Sequence, residues 1–184
     1  FGCWVCTVVK EDRSLNGFIR SGHRELVPLA EFRKWLMEIR DQGEYREKKR
    51  RDGTVYYTAN NELGYGPFTW EARQMILRRL LQVQKQMQYE LITIEELRAI
   101  DQIWDAEKDI TRRTLVELYY EETGERLPWD EMKRPLFDET TCEKIKGYAQ
   151  ANNVPQDLIN KMIFETTALK YYSNTKGLRD KLTK

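Results

Sequence analysis

The feature that most restricts the fold is a succession of capped, amphipathic segments with no alternating apolar pattern between them. Between Leu29 and Asp41, Phe32, Trp35, Leu36 and Ile39 recur at the i, i+3, i+4, i+7 spacing of one helix face, and Pro28 stands where a first turn tolerates it. Thr69 is placed to cap a long helix with Ala72, Met75, Ile76, Leu80, Val83 and Met87 on one side. Thr93 and Glu96 have capping-box spacing and open a helix through Trp104. Asp109 caps the next, whose stripe is Leu115, Leu118 and Tyr119, and Thr123-Gly124 stops it. Beyond Pro128 and Pro135, Thr140 with Glu143 repeats the capping-box spacing. Pro155 opens a helix containing Ile159, Met162 and Ile163, and a short final helix is expected after it.

Strand signals are few. Cys3 to Val9 is β-prone and reads as a strand or loop ahead of a short helix around Leu15 to Ile19. The basic run before Asp52-Gly53 and the β-branched, tyrosine-containing stretch from Thr54 to Thr58 read as a small β-hairpin or an ordered loop with an exposed tip. The fold class that follows is mainly α, an irregular multi-helix domain of roughly six to eight helices with an N-terminal CxxC segment. Two parts are expected: residues 1–25 as the CxxC segment, and residues 26–184 as a helical domain.

Charge and cysteine usage bound the function. Among 184 residues, 31 are basic and 30 acidic, which describes an ordinary soluble surface and leaves any nucleic-acid site local. No apolar run approaches the roughly 18 residues of a membrane helix, so a cytoplasmic protein is expected with no membrane partner. Three cysteines in a chain of this length make a secreted disulfide framework improbable and direct attention to the close pair Cys3 and Cys6. Phe1 is not an initiator methionine and the pair follows at once, so the chain reads as truncated, with functional residues expected upstream.

Two thiolates three positions apart can ligate one metal or cluster, or form a redox disulfide. A redox site of the helix-start type fits poorly, because Thr7, Val8 and Val9 favour extended backbone. A zinc site needs two more ligands, for which only His23 and the distant Cys142 are on offer. His23 reads as a loop residue and Cys142 as a buried structural thiol. An iron-sulfur cluster needs three or four protein ligands, which two cysteines supply only with others upstream.

The run Phe1-Gly2-Cys3-Trp4-Val5-Cys6-Thr7-Val8-Val9, then Ser14, Gly17 and Ile19, then Pro28-Leu29 with Phe32-Arg33, resembles the C-terminal half of the DndC-type sulfurtransferases of DNA phosphorothioation. Arg50-Arg51 with Gly53, the Gly66-Pro67-Phe68-Thr69 break, and Arg73 leading into Ile76, Leu77, Leu80 and Leu81 extend the resemblance over most of the chain. That family belongs to the phosphoadenosine phosphosulfate reductase-like ATP pyrophosphatases. The resemblance implies an ATP-dependent sulfurtransferase whose upstream part is α/β and carries the ATP-binding, SGG-type loop, with Mg as counter-ion. No such loop occurs here, so this fragment is expected to be inactive alone. It implies that ATP activates the DNA backbone as an adenylylated phosphate and that sulfur then replaces a non-bridging oxygen. It further implies a 4Fe-4S cluster with Cys3 and Cys6 among its ligands and the remaining ligands before Phe1. The partners implied are a cysteine desulfurase as sulfur donor, other proteins of the modification complex, and DNA.

Lys48, Lys49, Arg50 and Arg51, near Tyr56 and Tyr57, form the densest candidate for DNA phosphates, with Arg78, Arg79, Arg112 and Arg113 in reserve. Flanking Glu47 and Asp52 make a solvated surface the plain alternative. Trp4, Phe32, Trp35 and Trp104 need no role beyond packing. Two other functions stay open on the sequence: a non-catalytic helical module that docks partner proteins or DNA, and a small zinc-binding protein.

Overall fold

A computed structural model describes residues 5–169. Helix dominates, and among the described residues there is no β-sheet, only two isolated antiparallel bridges, Arg46 with Phe68 and Tyr57 with Leu63. The chain divides into two compact units between Ile92 and Thr93. The segment up to residue 25 belongs to the first unit together with the two helices that follow it.

The first unit is built on α1 (Arg13–Arg20), α2 (Val27–Arg40) and α3 (Trp70–Met87). Asp12 caps α1 by accepting the Leu15 amide at 3.0 Å, which starts the helix two residues before the expected Leu15. Pro28 lies in the first turn of α2, where its missing N–H is not needed. α2 packs on both α1 and α3. Its buried positions are Leu29, Phe32, Arg33 and Ile39, while Trp35 and Leu36 are only half-buried. Thr69 caps α3, its hydroxyl accepting the Ala72 amide at 3.1 Å. The deepest stripe of α3 is Ala72, Leu77, Leu81 and Val83. It is rotated from the expected set, because Met75, Ile76 and Leu80 reach only half-burial on the flank of a broad apolar face.

Between α2 and α3 the chain forms an ordered loop without strands. Asp52-Gly53 does make a tight turn, with Gly53 at φ 84° and the Arg50 amide bonded to the Thr54 carbonyl at 2.8 Å. The one bridge pair beyond it, Tyr57 with Leu63, is closed by a separate turn in which the Asn61 amide reaches the Thr58 carbonyl at 2.9 Å. Of the two expected forms the ordered loop is the one that occurs, with an exposed basic tip and no hairpin strands among the described residues. The segment from residue 5 to 12 is turn and bend.

The second unit holds α4 (Ile94–Glu107), α5 (Thr114–Thr123), α6 (Glu139–Ala151) and α7 (Gln156–Leu169), with α4 on α5 and α7, and α6 on α7. The capping box of Thr93 and Glu96 is complete, and Gly124 ends α5 in the left-handed region at φ 78°. Two caps differ from expectation. Asp109 sits five residues before α5 and accepts the amides of Thr111, Arg112 and Thr114, so it organises the approach to the helix while Arg113 occupies the cap position. α6 starts at Glu139 because Asp138, a stronger cap than Thr140, accepts the Thr141 amide at 2.7 Å. The final helix expected beyond Leu169 lies outside the described residues.

Two clusters of buried charge in this unit are neutralised in place. Asp130, 3% exposed, accepts Arg113 at 2.8 Å and Arg126 at 2.6 Å. The Lys133 ammonium is 2.6 Å from both Asp101 and Asp105, and Asp101 also accepts the Trp129 indole N–H at 2.7 Å. Leu97, Trp104, Leu115, Val116, Leu118 and Trp129 supply the apolar core here.

Candidate functional site

Arg33 occupies a position on α2 that its helical neighbours would lead one to fill with an apolar residue: Leu29, Phe32, Arg33 and Leu36 share the i, i+3, i+4, i+7 spacing. It is 6% exposed. Its guanidinium donates from Nη2 to the Cys6 carbonyl at 2.9 Å and to the Val9 carbonyl, and from Nη1 to the Lys10 carbonyl at 3.3 Å and the Met37 thioether. Two turns further along, Arg40 donates to the Thr7 carbonyl. Two arginines of one helix therefore hold four carbonyls of the cysteine loop, which has no regular structure of its own to satisfy them.

Their charges are treated differently. Arg40 is paired with Asp41 at 2.7 Å. Among the described residues no carboxylate pairs with Arg33, and its Nε–H is buried with no partner. Arg33 also lines an open groove of about 610 Å³ between α1 and α2, whose apolar wall is Leu15, Ile19, Val27, Ala30 and Met37. On the loop above it, Cys6 is a half-buried free thiol. Cys3 lies outside the described residues, as does Trp4. Val5, Val8 and Val9 stand exposed, Val8 at 87%.

The basic run lies on the loop between α2 and α3. Lys48, Lys49, Arg50 and Arg51 are all exposed, as are Tyr57 and Tyr65. Arg50 is stacked over the Tyr56 ring at 4.0 Å, and the Tyr56 hydroxyl donates to the Tyr65 carbonyl at 3.2 Å. The foot of the loop is fixed by Arg46, which donates to the Gly66 carbonyl at 2.8 Å and the Arg40 carbonyl at 3.0 Å and covers the Phe68 ring. At Gly66 a Cβ would meet the Lys49 carbonyl oxygen at 2.0 Å, so only glycine fits beneath the basic run.

The other candidates take structural places. Two of the reserve arginines are engaged: Arg79 lies over the Trp35 ring at 4.3 Å, and Arg113 is paired with Glu117 and Asp130. Arg112 adopts a left-handed backbone at φ 54°, with a buried Nε. Arg78 is half-buried on α3. His23 faces solvent, bonded to Glu25 at 2.9 Å with Phe18 at its ring edge. Burial, with Asp138, Asp109 and Glu139 nearby, pushes the Cys142 thiol up, which keeps it protonated and suits a packing role. Among the described residues no three His, Cys, Asp or Glu side chains are grouped to hold a metal ion. Arg33 and Arg40 are the functional candidates that sequence reasoning missed. Arg33 entered it only as part of a resemblance, although a cation inside an apolar stripe was visible. No helix among the described residues is long and apolar enough to cross a membrane.

No protein-family model, no curated protein and no solved structure matches the chain.

Proposed function

We propose that this chain is the C-terminal part of a DNA phosphorothioation sulfurtransferase, in which Cys3 and Cys6 ligate a 4Fe-4S cluster together with cysteines from the upstream part. The observation that carries this reading is the fixing of the Cys6 loop by Arg33 and Arg40 of α2. These guanidiniums satisfy carbonyls that the loop's irregular backbone leaves open, and so hold the Cys6 backbone in place. The residues present suit a thiolate-bound, anionic group: Cys6 is free of any disulfide, and the buried cation next to its carbonyl lacks a carboxylate.

When bound, such a cluster supplies an iron open to sulfide or persulfide. The roles of this chain's own residues are then definite. Cys6 offers its thiolate, Arg33 and Arg40 keep its backbone in one conformation, and Lys48, Lys49, Arg50 and Arg51 meet DNA phosphates. ATP with Mg, the SGG-type loop and the activation of the DNA phosphate belong to the upstream α/β part, and a cysteine desulfurase supplies sulfur. The test is the iron and sulfide content of the full-length protein prepared without oxygen. Cys3→Ser and Cys6→Ser are each expected to lose the cluster; full content in both variants sinks the reading. For DNA, replacing Lys48 to Arg51 together with alanine is expected to lower affinity and flatten its salt dependence, and unchanged values remove that contact.

A second reading has its own observation. Val5, Val8, Val9 and Phe18 are exposed on the cysteine loop and α1, as on a surface that docks another protein. If the chain alone captures proteins of the modification complex, and Val8→Asp abolishes that capture while the full-length protein keeps its iron, docking is a separate role of this segment.

A further inference from the structure

The loop between α2 and α3 has two unlike sides. Residues 54–58 and 62–66 run antiparallel past each other, joined by the Tyr57–Leu63 bridge. The Thr58 amide donates to the Glu62 carbonyl at 2.8 Å, and the Gly64 amide to the Tyr56 carbonyl at 2.9 Å. Extended backbone sends alternate side chains to opposite sides. One side is filled from within the loop: a Cβ on Gly64 would strike the Tyr56 ring at 2.2 Å, one on Gly66 would strike the Lys49 carbonyl oxygen at 2.0 Å, and Arg50 covers Tyr56. The other side carries Val55, Tyr57, Leu63 and Tyr65, all exposed, with Tyr57 at 63%. Tyr65 rests against Gly43, where an added Cβ would lie 3.3 Å from its ring. Apolar and aromatic groups gathered on one side of a loop held this closely differ from the scattered exposed residues of an ordinary surface.

The charge of the same loop says what suits that side. Between residues 46 and 68 the cations Arg46, Lys48, Lys49, Arg50 and Arg51 outnumber the carboxylates Glu47, Asp52 and Glu62. Arg46 is taken up at the foot of the loop, and Asp52 turns onto the Thr54 amide and hydroxyl at 2.9 and 2.7 Å. The basic run packs on Tyr56 and Gly66, the immediate neighbours of Tyr57 and Tyr65. Cations next to exposed flat rings answer both parts of an unpaired nucleic-acid strand, its phosphates and its base faces. A duplex offers the phosphates but keeps the base faces within its stack. We propose that this loop binds a single-stranded segment of DNA, with bases stacked on Tyr57 and Tyr65 and phosphates on Lys48, Lys49, Arg50 and Arg51. The proposal rests on the DNA contact assigned above to those four residues and not on the cysteines.

The experiment titrates the full-length protein, over a range of salt, into labelled probes of equal length: a mixed-sequence single strand, the matching duplex, and a strand of abasic sites that keeps the phosphates without the bases. Circular dichroism shows that the helices persist in each variant. Wild type is expected to bind the single strand more tightly than either other probe. Tyr57→Ala is expected to weaken the single strand about 5- to 150-fold, the loss of one stacked base, and to leave the other probes and the salt slope unchanged. Tyr57→Phe keeps the ring and is expected to bind as wild type. Replacing Lys48 to Arg51 together with alanine is expected to weaken all the probes and flatten the slope. If that replacement acts as expected while Tyr57→Ala spares the single strand, or if wild type binds strand and duplex alike, this proposal falls and the phosphate contact stands. A Tyr57→Ala variant that spares every probe but releases a protein co-purifying with wild type assigns the side to a protein and likewise overturns the proposal. Binding of none of the probes by wild type overturns the DNA contact and this proposal together.

Discussion

The two units of the chain bury charge in different ways. In the second, two clusters pair charge with charge, Asp130 lying between Arg113 and Arg126 and Lys133 between Asp101 and Asp105, while the buried Asp109 is met by backbone amides and the Thr111 hydroxyl. In the first, the buried Arg33 meets only neutral acceptors. The ion-paired clusters of the second unit tie its helices and loops together with charges of both signs. The arrangement around Arg33 instead uses a buried cation on the backbone carbonyls of the cysteine loop.

Four measurements break or sharpen the contrast, each read as the urea midpoint of the chain. Lys133→Met strands two carboxylates behind and is expected to cost about 3–5 kcal/mol, as for a buried pair that loses one member. Asp130→Asn removes the charge shared by two partly exposed arginines and turns one of its two accepting oxygens into a donor, and is expected to cost about 1–3 kcal/mol. Burial pushes the Asp130 carboxyl up, but the Arg126 and Arg113 hydrogen bonds and charges outweigh it and hold it below the ordinary 3.8. Its contribution is therefore present above 3.8 and lost as pH falls through the lowered folded value, a loss that Asp130→Asn should not show. Arg33→Met strands neutral loop carbonyls and leaves no carboxylate behind, and is expected to cost about 1–2 kcal/mol. A cost equal to that of Lys133→Met would erase the distinction between the units.

The smallest effect concerns Asp105, whose carboxyl is raised above the ordinary 3.8, first by burial and further by Asp101 and Asp109, against the pull of Lys133. A raised carboxyl stabilises the fold fully below its unfolded value, and this contribution fades as pH rises through the folded one. Asp105→Asn should abolish that fading. A wild-type midpoint that climbs through the same window, with Asp105→Asn following it, would contradict the assignment.

Much of the helical framework was legible because its signals are local. Thr69, the Thr93–Glu96 box and Gly124 act on backbone groups within three or four residues, and each works as the spacing says. The Thr140 cap failed for an equally local reason, since Asp138 competes for the same turn with a better acceptor. Illegible was anything decided by a distant partner. Arg33 is buried because the loop of residues 6–10, more than twenty positions away, lies across it, and no periodicity in α2 could announce that loop. The basic run was visible in the sequence, but the reason it is held in place, a glycine under the Lys49 carbonyl and Arg46 at its foot, is tertiary.

Arg40 belongs to two hydrogen-bond chains at once. Its side chain grips the Thr7 carbonyl, and its own carbonyl receives Arg46, which holds the foot of the basic loop. The end of α2 is thus a shared anchor, so fraying of its last turn would loosen the cysteine loop and the foot of the basic loop together.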